Sequence, residues 1–140
     1  MKKRAIITIK SNASMENDDL IEVISPGDFY MDNDTFKAEY DETEISGMDG
    51  TRTILTVRGK SFTLERKGST ATKMDFKNRQ QTTSLYQTPY GVLQVNIDTK
   101  KLNIDINEEG GIIEVNYLMT IEGQIPMNTN LSVHIKTNEN

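Results

Sequence analysis

The chain of 140 residues contains no cysteine. Disulfides, thiolate zinc sites and cysteine nucleophiles are therefore excluded, and the composition fits a reducing compartment. Aromatic residues are scarce at 6%, which leaves few rings on which nucleic-acid bases could stack. Long apolar runs are missing as well. The start Met1-Lys2-Lys3-Arg4 has the look of an export signal, but Lys10 cuts the run Ala5-Ile6-Ile7-Thr8-Ile9 short. No stretch approaches the ~20 apolar residues of a membrane-spanning helix. A cytoplasmic location without a membrane partner is the expectation.

Histidine is all but absent. His134 lies between Val133 and Ile135, in phase with Ser132 and Lys136, so it should point outward. A Ser-His-Asp triad or a histidine metal site then lacks its centre. Asp32-Asn33-Asp34 opens like a calcium loop but lacks the later glycine and glutamate. Gly59-Lys60-Ser61 ends like a phosphate-cradling loop, yet Ile54 stands where the first glycine belongs and alternating residues follow. Both read as hairpin turns. No metal site, cofactor or assigned catalytic residue is expected.

The net charge of −5 argues against a general preference for nucleic acid, which needs a basic surface. Locally the charge is segregated. From Asp28 to Asp49 acidic residues face only Lys37, whereas Arg52 to Arg79 is basic apart from Glu65 and Asp75. If these segments are consecutive antiparallel strands, their charges pair across the ladder on the solvent side.

What the sequence does have is period two. Leu93-Gln94-Val95-Asn96-Ile97, Leu102-Asn103-Ile104-Asp105-Ile106, Ile113-Glu114-Val115-Asn116-Tyr117 and Leu131-Ser132-Val133-His134-Ile135 alternate as half-buried strands do. Pro26-Gly27, Asp49-Gly50, Gly59-Lys60, Lys67-Gly68, Pro89-Tyr90-Gly91 and Gly110-Gly111 supply turns. Candidate strands are 4–10, 19–25, 28–32, 35–44, 51–58, 61–67, 70–78, 82–88, 92–99, 102–107, 112–122 and 130–137. Some should merge, leaving about eight to ten. Residues 11–18 and 123–130 read as loops and 137–140 as a tail. One all-β domain over 1–140 follows, and closure into an antiparallel barrel is the arrangement that removes the exposed edges.

Exceptions to the alternation mark the candidate site. Phe36, Ala38 and Tyr40 set an inward phase that Glu42 shares, and Phe62 and Leu64 set one that Arg66 shares. Burying either charge alone is costly, so Glu42 and Arg66 are expected to meet, or Arg66 to close one mouth against Tyr40 or Tyr117. The alternative is that Arg66 anchors an acidic ligand through its guanidinium fork. Tyr86 and Tyr90 flank Gln87-Thr88-Pro89, where Pro89 presets a tight turn and Gly91 relaxes the exit from it; the alternative is that the two phenols contact a ligand at the rim.

Tyr40-Asp41-Glu42-Thr43, Arg66-Lys67-Gly68, Met74-Asp75-Phe76, Tyr86-Gln87-Thr88-Pro89-Tyr90-Gly91, Thr99, Gly111 and Tyr117-Leu118 together resemble the YwiB-like family of small bacterial β-barrel proteins. The resemblance spans about residues 27 to 137 and is most specific in Tyr-x-Thr-Pro-Tyr-Gly. It implies a lipocalin-like, or calycin-like, barrel in a cytoplasmic protein of Gram-positive bacteria, and no activity.

Three functions stay open. A binding module would hold a small amphipathic or acidic ligand in a lumen lined by Phe62, Leu64, Met74, Phe76, Leu93, Val95, Val115 and Tyr117, with Arg66 as polar anchor. An interaction protein would have a side-chain-filled barrel and form a homodimer through outward Ile54, Ile112 and Leu118. An enzyme would use Glu42 as acid or base beside Arg66, and needs Glu42 open to solvent.

Overall fold

The computed structural model describes residues 2–13, 20–42, 50–68, 71–88, 90–121 and 126–137. They form β1 (Lys3–Ala13), β2 (Leu20–Asp32), β3 (Thr35–Asp41), β4 (Thr51–Arg58), β5 (Ser61–Gly68), β6 (Ala71–Lys77), β7 (Gln81–Thr88), β8 (Gly91–Asn107), β9 (Gly110–Ile121) and β10 (Met127–Thr137). Each strand is antiparallel to the next, and β1 pairs with both β2 and β10, so the sheet closes into a barrel. No helix among the described residues is long and apolar enough to cross a membrane.

The expected mergers occur in two places. Pro26-Gly27 does not turn the chain, and both residues lie inside β2. Pro26 sits exposed on the outer face opposite Ile6, while Gly27 lets two strands approach: a Cβ there would collide with the Glu39 carbonyl and lie 2.8 Å from Ile7 Cδ1. Segments 92–99 and 102–107 join through a bulge between Thr99 and Lys101, which bends β8. Residues 11–13 and 127–130, expected in loops, extend β1 and β10. Asn33 and Asp34, with φ of 50° and 66°, form the tight two-residue hairpin loop read from the sequence.

Opposite charges do pair on the outside. Arg52 on β4 reaches Asp41 at 2.8 Å, Glu39 at 3.0 Å and Asp28 at 3.9 Å. The β6–β7 seam is the thinnest part of the wall, because only Ala71↔Gln87 and Thr72↔Tyr86 pair there. Thr82 Oγ1 ties the strands again by donating to the Asp75 carbonyl at 2.7 Å.

Inside, ten strands enclose more room than aliphatic side chains fill easily. Rings fill it instead. Phe62 stacks on Phe76 at 5.6 Å, Phe76 meets Tyr117 at 4.9 Å, and Phe29 stacks on Phe36 at 5.9 Å. Of the residues expected to line the lumen, all but Leu93 are buried. Leu93 is 40% exposed because it follows Gly91 closely on the β7–β8 hairpin, near the rim rather than within the wall.

Candidate functional site

The alternation places Glu42, at the end of β3, and Arg66, near the end of β5, at the same end of the barrel. Between them β4 contributes Thr53, which pairs with both Tyr40 and Arg66. One step further Arg66 pairs with Thr72, and Thr72 with Tyr86. The register thus draws a row Tyr40–Thr53–Arg66–Thr72–Tyr86 across five strands.

Glu42 is the buried charge of this cluster, its side chain 1% exposed. Its backbone N–H donates to the Thr51 carbonyl at 2.8 Å, and its carboxylate accepts a hydrogen bond from Thr53 Oγ1 beside the Tyr40 hydroxyl. Arg66 Nε lies 3.9 Å from Glu42 Oε2. That separation gives charge compensation but no hydrogen bond. Nε is buried and has no acceptor, and the neighbouring Thr72 Oγ1 is likewise buried without a partner.

Both phenols here are held protonated. Burial pushes the Tyr40 hydroxyl above the usual tyrosine range, and the Glu42 carboxylate pushes it further, against the opposing pull of Thr53 and Arg66. Burial raises Tyr117 too, with its Thr129 hydrogen bond and the Arg66 charge pulling the other way. The four groups Tyr40, Glu42, Arg66 and Tyr117 are therefore assembled as the alternation implies. Tyr86 shares their row by its backbone, and its side chain lies outside the described residues, as do Thr43 and Pro89. Tyr90, at the tip of the β7–β8 hairpin, is 99% exposed.

Sequence reasoning missed the threonines. Thr51, Thr53, Thr72 and Thr129 are all buried around the cluster, and each shares its phase with apolar neighbours: Thr53 with Leu55 and Val57, Thr72 with Met74 and Phe76, Thr129 with Leu131. A threonine passes unremarked in a strand because its shape suits one; several at the same end of their strands were the available signal. Among the described residues no group of three or more acidic or histidine side chains is placed to hold a metal ion.

The comparisons with known proteins agree with this architecture. The Bacillus subtilis (strain 168) protein described as "Uncharacterized beta-barrel protein YwiB" is 26% identical over 125 residues, which cover 86% of each chain. The crystal structure of ywiB protein from Bacillus subtilis matches with a TM-score of 0.84 at 22% identity, over 99% of this chain and 94% of that one, a likeness of fold. The family model described as "Domain of unknown function (DUF1934)" covers residues 7–133, so the match takes in most of β1 and all of β2, beyond the span that the motifs alone suggested. A barrel of this topology, with that family's model matched over nearly its whole length, belongs to the DUF1934 family of domains of unknown function.

Proposed function

We propose that the chain is a cytoplasmic binding protein: a lipocalin-like (calycin-like) barrel that takes a small acidic ligand at its polar end, with Arg66 as the anchor. The observation that supports this reading is the unsatisfied Arg66 Nε beside the unsatisfied Thr72 Oγ1. A buried donor without an acceptor costs roughly 1–3 kcal/mol, and a carboxylate or phosphate oxygen from a ligand would satisfy both groups at once. Arg66 is still 22% exposed and reachable. The ring-filled interior directs such a ligand to the mouth rather than the deep lumen. An enzyme built on Glu42 loses support, because a side chain 1% exposed and already bonded to the Thr53 hydroxyl is poorly placed to exchange protons with a substrate.

Native mass spectrometry of gently purified protein, and calorimetric titration with small mono- and dicarboxylates and inorganic phosphate, test the proposal. Wild type should retain or bind an acid, Arg66→Met should not, and Glu42→Gln should bind more tightly because it removes the competing carboxylate. Equal binding by wild type and Arg66→Met would overturn it.

A second reading, a homodimer, is favoured by the outer face. The register aligns Ile24, Thr8, His134 and Ile112 across β2, β1, β10 and β9, with Ile24 63% and Ile112 39% exposed and Ile6 nearby at 44%. Leu118 and Ile54 are half-buried and lie elsewhere on the wall. Sedimentation at high micromolar concentration should show a dimer that Ile24→Lys abolishes. A wild-type monomer throughout would end this reading.

A further inference from the structure

A second concavity, about 420 Å³, is lined by none of the residues of the Arg66 cluster. It is a groove across the outer face of β1, β10, β9 and β8. Two adjacent rows of the ladder build it. One row runs Asn12–Asn130–Asn116–Lys101 and the other Lys10–Ser132–Glu114–Asn103. Lys101 adjoins the β8 bulge, which bends the sheet beside the groove.

We propose that this groove is a second binding site, for a neutral polyhydroxylated ligand, a saccharide. Four of its side chains are carboxamides, and each offers a donor and an acceptor side by side, the pattern that neighbouring hydroxyls match because each hydroxyl both donates and accepts. The amides are already drawn together: Asn116 Nδ2 donates to Asn130 Oδ1 at 2.6 Å and to Asn128 Oδ1 at 3.1 Å. An independent observation points to a missing donor. The Asn12 Oδ1 oxygen is buried and accepts no hydrogen bond, a state that a ligand hydroxyl relieves.

Charge selects against the alternatives. Lys10 is paired with Glu22 at 3.4 Å, and the lining carries the Glu114 carboxylate as well as Lys101, so a phosphate or carboxylate gains little there. The lining contains no aromatic ring, so nucleobases find no stacking platform.

Side-chain amide signals in 1H–15N spectra of the full chain provide the test. The probes are glucose, N-acetylglucosamine and linear trimers of each, with inorganic phosphate in a parallel titration. Saturable shifts are expected for the carboxamides of Asn12, Asn103, Asn116 and Asn130 with at least one sugar, unchanged in Arg66→Met and weakened about tenfold in Asn116→Ala. Because these residues sit on the outer face, the backbone spectrum should stay native; if Asn116→Ala fails to fold, Asn103→Ala carries the comparison. No shift with any sugar up to the millimolar range would overturn the proposal. So would shifts with phosphate alone, or shifts confined to residues around Arg66.

Discussion

Replacing Arg66 with methionine removes the cation that faces the Glu42 carboxylate. At 3.9 Å, and with the effective dielectric of ~20 that suits such sites, the attraction is about 4 kcal/mol. One feature reduces the loss: Glu42 keeps its hydrogen bond from Thr53. Arg66→Met should therefore cost about 3 kcal/mol, at the lower end of what breaking a buried pair costs, which lowers the melting temperature by on the order of 10 °C for a domain of this size. Glu42→Gln strands a less deeply buried cation and exchanges one acceptor for a donor, costing about 1–2 kcal/mol. The double variant no longer holds an uncompensated charge and should lose only about 2 kcal/mol, a coupling of roughly 2–3 kcal/mol. Urea denaturation followed by tyrosine fluorescence gives all four free energies, since the chain has five tyrosines and no tryptophan. Additive losses, with the double variant down by about 4–5 kcal/mol, would refute the pairing.

Three further outcomes follow from the packing. Phe62→Ala removes a fully buried ring that stacks on Phe76 and should destabilise by about 3–5 kcal/mol in the same denaturation assay. Gly27→Ala drives a methyl into the backbone carbonyl of Glu39, where no side chain can yield, and should cost at least about 1–3 kcal/mol; a neutral result would mean that β2 and β3 can part there. Burial tends to raise the Glu39 carboxyl, but hydrogen bonds from Tyr30 and Arg52 hold it below its ordinary value of 4.5. The stabilisation it brings is therefore complete above that value and is lost as the pH falls through the lower folded-state value. Glu39→Gln should flatten that acid limb in a pH series of melting curves, and an unchanged limb would remove Glu39 from the account.

The barrel was legible because one property, period two, reports burial directly in a half-exposed sheet. It failed where a residue type has two uses. Pro26-Gly27 carries the chemistry of a turn, and here the proline occupies an outward position of a long strand while the glycine permits a close approach. The inward placement of Glu42 and Arg66 was readable from phase alone, because a charge in step with Tyr40 or Leu64 stands out. The threonines that complete the cluster share the phase of buried neighbours too, but a threonine suits either face of a strand and does not stand out as a charge does, so their convergence on one site shows only in the register. The outer asparagine groove was invisible for the same reason: its members are scattered between Asn12 and Asn130, and only the pairing of four strands brings them together.

The pairing of β1 with β10, which sets Ala5 against Thr137, makes the earliest of the ten described strands depend on the latest. During translation β1 can zip onto β2, but its other edge waits for β10 to leave the ribosome. Such long-range closure slows folding, because loop entropy is spent before the contacts form. Meanwhile an edge carrying Ile6, Ile7 and Ile9 invites pairing with a neighbouring nascent chain. Lysines and an arginine at positions 2, 3, 4 and 10 bracket that run, and charges flanking an apolar strand oppose such pairing by repulsion until β10 arrives to close the barrel.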